Sequence, residues 1–334
     1  MRGQTVFQSH QRLPRRRGRA RALAGVFGTA ARHGSRRLIC GHMSKKIQYQ
    51  GLCVVCSGKR LSDEHVWSDW LSSLLPRGNV LHEAKFSESL IDQVVGARPV
   101  FKPVKKWRKI RQGAVHSIKT KRVCIRCNGG WMAAIVDRSK AVATRAITLQ
   151  FGALTRDDQT RLATWLALSA TMRDQSARVG LPKMRSEALR YLWKRQEPPG
   201  EFYVGVGAFR GGRSVNNSYN VRLTRSMAPP HEIASMVHSI AVSMGGLFAV
   251  VVAPWRVDPD FARILPSLYS DCLTQIWPPH QTSIPWPNYA RAVLGGKFGD
   301  GEVGTADEVA HRARRAFSYF HPANWVGDNV ASDC

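Results

Sequence analysis

Four of the seven cysteines fall in two pairs of equal spacing, Cys53–Cys56 and Cys124–Cys127. Two residues between thiols let the chain fold into a knuckle that aims both sulfurs at one ion. Two knuckles complete a tetrahedral four-sulfur shell of the kind that holds structural Zn2+. Disulfides compete for the same residues, but nothing resembles a secretory signal, and Cys40, Cys272 and Cys334 are scattered without pairing logic. A shell of this kind is closed, so any chemistry must come from groups hung on it. Glu64 and His65 are adjacent, eight and nine residues after Cys56, and Asn128 follows Cys127 directly. A carboxylate and an amide carbonyl are oxygen donors suited to a hard cation such as Mg2+, and a neighbouring imidazole can take a proton from water. Together they would make a one-metal phosphodiesterase.

At these residues, in "CVVC…EH" and "CIRCN", the sequence resembles the HNH, or ββα-metal, endonuclease superfamily. The nearest pattern is its four-cysteine zinc-knuckle branch of the endonuclease VII type, and phage and bacterial HNH proteins of unknown role look similar. The resemblance covers residues 50–150. It implies that Cys53, Cys56, Cys124 and Cys127 hold Zn2+, that Glu64 and Asn128 hold a catalytic Mg2+ or similar divalent cation, and that His65 is the general base. Glutamate stands where aspartate is commoner, and the stretch between His65 and Cys124 is longer than a plain hairpin needs, so an insertion fills the middle. Read locally, Ser62 would instead cap a helix whose apolar face is Val66, Trp70, Leu71 and Leu74, ended by Pro76, with Glu64 complementing the dipole.

The elements that must position these groups lie in a strongly basic chain. Its 334 residues carry a formal charge of +27 with a sequence pI near 10.7. So lopsided a balance points to a polyanion, and double-stranded DNA is the partner expected here. Residues 1–42 contribute ten arginines, no lysine and no acid, and such a leader is expected to be disordered. Without it the polyanion reading survives, because residues 98–126 alone hold eleven lysines and arginines and no acid. Apolar and basic residues alternate there as in strands with a solvated face. Lys105, Lys106, Arg108, Lys109, Arg111, Lys119, Lys121 and Arg122 are the expected phosphate contacts. His82 and His116, in the same insert, read as ordinary surface or core histidines.

Four segments follow: the leader 1–42, a zinc-binding HNH-like region 43–150, an α+β region 151–300 and a C-terminal helix and tail 301–334. Thr155 and Asp158 have capping-box spacing for a helix through Leu162, Trp165 and Leu166 toward Pro182, and a second helix is expected over 183–196. Beyond Pro198–Pro199–Gly200 the period turns to two. "EFYVGVGAF", "SYNVRLTR", "HSIAVSM" and "LFAVVVAP" read as strands, the last two turning at Gly245–Gly246. Residues 277–288 read as a coil over the sheet, and 305–320 as a short helix. His231, His238 and His280 read as structural. The expected fold is α+β: a zinc-stapled ββα-metal lobe, then helices and an antiparallel sheet. No apolar run suggests a membrane span, and an intracellular, cytoplasmic protein is expected. A non-catalytic, zinc-containing nucleic-acid binder of phage or mobile-element origin is the rival reading.

Overall fold

The insert between His65 and Cys124 supplies two long strands, and they join a sheet built mostly by the second half of the chain. The computed structural model describes residues 51–75, 81–95, 98–112, 118–176, 186–210, 215–224, 236–255, 259–288, 294–295, 309 and 312. The leader, Cys40, His116, His231, Cys334 and most of 301–334 lie outside the described residues. Residues 48–334 form one compact unit.

Strands β2 (Leu81–Val95) and β3 (Arg98–Gln112) pair antiparallel, with two irregularities in register. β6 (Tyr203–Arg210), β7 (Val215–Thr224), β8 (Met236–Met244), β9 (Leu247–Trp255) and β10 (Thr274–Trp277) complete the main sheet. Its order is β10-β6-β9-β8-β7-β2-β3, and the short β12 (Leu294–Gly295) pairs with β6. Neighbours are antiparallel except β2 beside β7 and β12 beside β6. The β8–β9 turn uses Gly245 at φ 55°, a left-handed conformation that glycine takes without strain.

Period-two alternation in β8 and β9 sends side chains to two covered faces. Ile240, Val242, Ala249 and Val251 join one apolar cluster, while Val237, Ala241, Val250 and Val252 join another. Helix α6 (Pro259–Leu268) covers the second face through Phe261 and Leu265. Helix α4 (Arg156–Gln175) shares the first cluster through Leu162, Trp165 and Leu166. From Leu162 to Gln175 every residue of α4 is buried, as befits a helix enclosed on all sides. It starts at the expected capping box: Thr155 Oγ1 accepts from the Asp158 N–H, and Asp158 Oδ2 accepts from the Thr155 N–H.

The knuckle region packs into that same first cluster. Here β1 (Glu64–His65) pairs antiparallel with β4 (Lys119–Thr120). The chain then forms α2 (Ile125–Cys127), a wide turn over Asn128–Met132 kinked at Gly130, and α3 (Ala133–Ile147). Gly129 and Gly130 let the helix axis change there. α3 buries Ile135, Val142, Ala143 and Ile147, and its C-terminal end docks on the β8–β9 turn, where Gly246 N donates to Ile147 O at 2.8 Å.

The molecule is thus a mixed helix and antiparallel-sheet protein, as the sequence implies, with four departures in detail. Ser62 caps no helix: Glu64 and His65 are strand, and helix α1 is only Leu71–Leu74. Helix α4 ends at Gln175, before Pro182, whereas the second helix, α5 (Ser186–Arg195), falls where expected; residues 177–185 lie outside the described residues. Residues 277–288 are not simple coil, because β11 (Ser283–Trp286) pairs with β5 (Gly152–Thr155). Helix α6 was not expected at all. Among the described residues, no helix is long and apolar enough to cross a membrane.

Candidate functional site

The two knuckles meet. The sulfurs of Cys53, Cys56, Cys124 and Cys127 all lie within 4.8 Å of one another. Cys56 Sγ is 3.5 Å from both Cys124 Sγ and Cys127 Sγ, far beyond the S–S bond of about 2.05 Å, so these are four thiols and no disulfide. Four sulfurs about 2.3 Å from a tetrahedral Zn2+ would be about 3.8 Å apart, close to what is seen. The local turns suit the purpose. The Cys127 N–H donates to Cys124 Sγ at 3.4 Å, and Ser57, at φ 59°, turns the first knuckle so that Cys53 N reaches Gly58 O at 2.8 Å. A Cβ on Gly58 would stand 3.3 Å from Cys56 Sγ and 3.5 Å from Cys124 Sγ, so glycine keeps the sulfurs uncrowded. Burial opposes ionisation of Cys124, but the Cys127 N–H and the neighbouring thiols outweigh it and bring its pKa down to about 7. Burial pushes the Cys127 thiol well up, with the Trp131 side chain opposing. This donor set could hold a zinc ion.

Two passages of chain lead from the thiols to Glu64 and His65. Leu61 bridges Cys124, Ser62 N donates to Val123 O at 2.9 Å, and Val66 N donates to Ile118 O at 2.8 Å. Between these, Glu64 faces Thr120 and His65 faces Lys119. Three steps from Leu61 to Glu64 stand against four from Cys124 to Thr120, so the second passage carries one extra residue. A bulge of this kind bends and twists a strand, and bulges are common beside active sites.

Glu64 is half-buried, and burial pushes its carboxyl up to about 7. Its carboxylate has no hydrogen bond or ion pair among the described residues. Raised by burial, and without a cationic partner among the described residues, this carboxyl is an oxygen donor that a cation could draw into its charged form. His65 is also half-buried, with Nε2 3.9 Å from Asp69 Oδ1. Burial and the Lys119 charge hold its pKa below the ordinary value, against a smaller opposing effect of Asp69, so the ring favours its neutral form. Asn128 enters from the helix side, and its Nδ2 donates to Ser62 Oγ at 3.1 Å. The three polar residues singled out by sequence thus lie on one hairpin and on the helix that follows it.

No protein-family model matches the chain. No curated protein and no solved structure matches it either.

The basic residues divide. Lys105, Lys106, Arg108, Lys109 and Arg111 occupy β3, the end strand of the sheet order. Lys119 is exposed on β4, and Lys121, 3.7 Å from Asp63 Oδ1, is mostly exposed. Arg122 has a structural bond, donating from Nε to Gln175 O at 3.2 Å. Sequence reasoning missed Ser62 as a partner of Asn128 and Gly58 as a spacer for the sulfurs. Ser62 was within reach, because residues two apart share a strand face, but only once Glu64 was taken as strand.

Proposed function

We propose that this protein is a metal-dependent endonuclease of the HNH type, hydrolysing phosphodiester bonds in DNA. The observation that carries the reading is the hydrogen bond from Asn128 to Ser62, two residues before the Glu64–His65 strand, beside a four-thiol cluster. The proposed roles are zinc staple for the four cysteines, ligation of one divalent cation by Glu64 and Asn128, and general base for His65. Bound there, the cation would neutralise charge on the scissile phosphate and on the departing oxygen.

The chain's own groups then have defined tasks. The neutral His65 ring keeps one nitrogen free to accept a proton, and Asp69 Oδ1, 3.9 Å from Nε2, lies too far away to hydrogen-bond it. His65 takes a proton from water as the water oxygen bonds to phosphorus, and the bond to the leaving sugar oxygen breaks. Lys119, Lys121 and the basic residues of β3 would neutralise backbone phosphates without reading sequence.

A plasmid-nicking assay with and without Mg2+ tests this. The native protein should nick only with the cation. His65→Ala should lose about 100-fold or more in rate while keeping zinc content and DNA affinity. Salt-sensitive DNA binding with no nicking under any divalent cation would favour the non-catalytic binder instead.

A further inference from the structure

Asn128 carries two unlike groups on one planar amide. Only Oδ1 can bind a cation, whereas Nδ2 is purely a donor. The two edges are almost the same size, so shape alone barely distinguishes them. The neighbour does. Ser62 has one hydroxyl hydrogen, and its Oγ lies 3.2 Å from Val123 O, a carbonyl that can only accept. Directed at that carbonyl, the hydroxyl hydrogen leaves the Ser62 Oγ lone pairs facing Asn128. The amide edge 3.1 Å from Ser62 Oγ is therefore the NH2 edge. Val123 is held in turn, since its carbonyl also accepts from the Ser62 backbone N–H and its chain runs straight into Cys124. The relay starts at the thiol cluster and ends at the Asn128 side chain.

We infer that Ser62 is a positioning residue that sorts the two edges of the Asn128 amide, binding the NH2 edge itself and leaving Oδ1 free to ligate the divalent cation. This rests on the reading of Glu64 and Asn128 as holders of that cation. Ser62 touches neither cation nor substrate and acts only through Asn128. It stands two residues before Glu64 in the chain.

A carboxylate has two equivalent oxygens and needs no sorting, which supplies the test. Mn2+ is titrated calorimetrically into the zinc-loaded protein without nucleic acid. Ser62→Ala alone should weaken Mn2+ binding about tenfold or more, as loss of a partner that orients a ligand typically does. The same change in an Asn128→Asp background should alter binding by less than about twofold, and Ser62→Thr, which keeps the hydroxyl, should restore native affinity. Zinc content and melting temperature establish that each variant is folded. An equal loss in both backgrounds makes Ser62 merely structural and overturns the inference, as does no loss in either. Native Mn2+ binding that is absent, or indifferent to Glu64→Gln, overturns the cation site itself and the inference with it.

Discussion

Trp165, fully buried in the middle of α4, donates its indole N–H to Ser68 Oγ at 2.9 Å, three residues beyond His65. Its ring also lies 5.8 Å from that of Trp70. The helix that lines the sheet therefore also fixes the chain just after the candidate base, and stability of the core and geometry of the site are coupled.

Trp165→Ala should cost about 3–5 kcal/mol, the usual range for a large aromatic removed from a core. The melting temperature should fall, and the knuckle region and α4, which share one apolar cluster, should unfold in one transition. Two well-separated transitions by calorimetry would count against the coupling.

Cys124→Ser should abolish stoichiometric zinc. Four-sulfur ligation contributes about 10 kcal/mol or more to the folding of small zinc domains, and Cys124 also accepts the Cys127 N–H. Elemental analysis of the native protein should give one zinc per chain, and the variant should have little zinc and a much lower melting point. A folded native protein without zinc would refute the staple.

Replacing Lys105, Lys106, Arg108 and Lys109 with alanine should weaken binding to unrelated duplexes alike. Each of these residues that touches a phosphate contributes about 0.9 to the slope of log affinity against log salt. The slope should fall by up to about 3.6, with zinc content unchanged. An unaltered slope would move the phosphate contacts away from β3.

Asp271 is held down to about 2 by hydrogen bonds from Arg312, one of which joins Oδ2 to Nη2 at 2.9 Å. Its folded pKa lies below the unfolded value of about 3.9, so the pair stabilises the fold above that value. The contribution is lost as pH falls toward 2. Asp271→Asn should thus lower the melting temperature at pH 5 and make little difference near pH 2. Because Asp271 is mostly exposed, the effect should be small and should shrink in high salt.

Local structure was legible in the sequence where it depended on residue type and short spacing. Both Cys-x-x-Cys knuckles, the Thr155–Asp158 capping box and the Gly245–Gly246 turn follow from neighbours within a few residues. Glu64 and His65 were ambiguous because Ser62, Val66 and Trp70 fit a helical stripe as well as a strand. Only hydrogen bonds to residues 118–123, over fifty positions away, favour the strand. The bulge before Cys124 and the bond from Arg122 to Gln175 have no local signature. The strands of "HSIAVSM" and "LFAVVVAP" could be read from alternation, whereas the parallel pairing of β2 with β7 joins segments more than a hundred residues apart.

That pairing limits how the chain can be divided. β7 lies along β2 from Phe86↔Asn220 to Leu90↔Thr224. A fragment ending near residue 150 would retain both knuckles and the histidine, yet it would uncover the backbone N–H and C=O groups of β2 that β7 now faces. An exposed strand edge invites pairing with another copy, so the excised lobe should self-associate rather than remain a monomer.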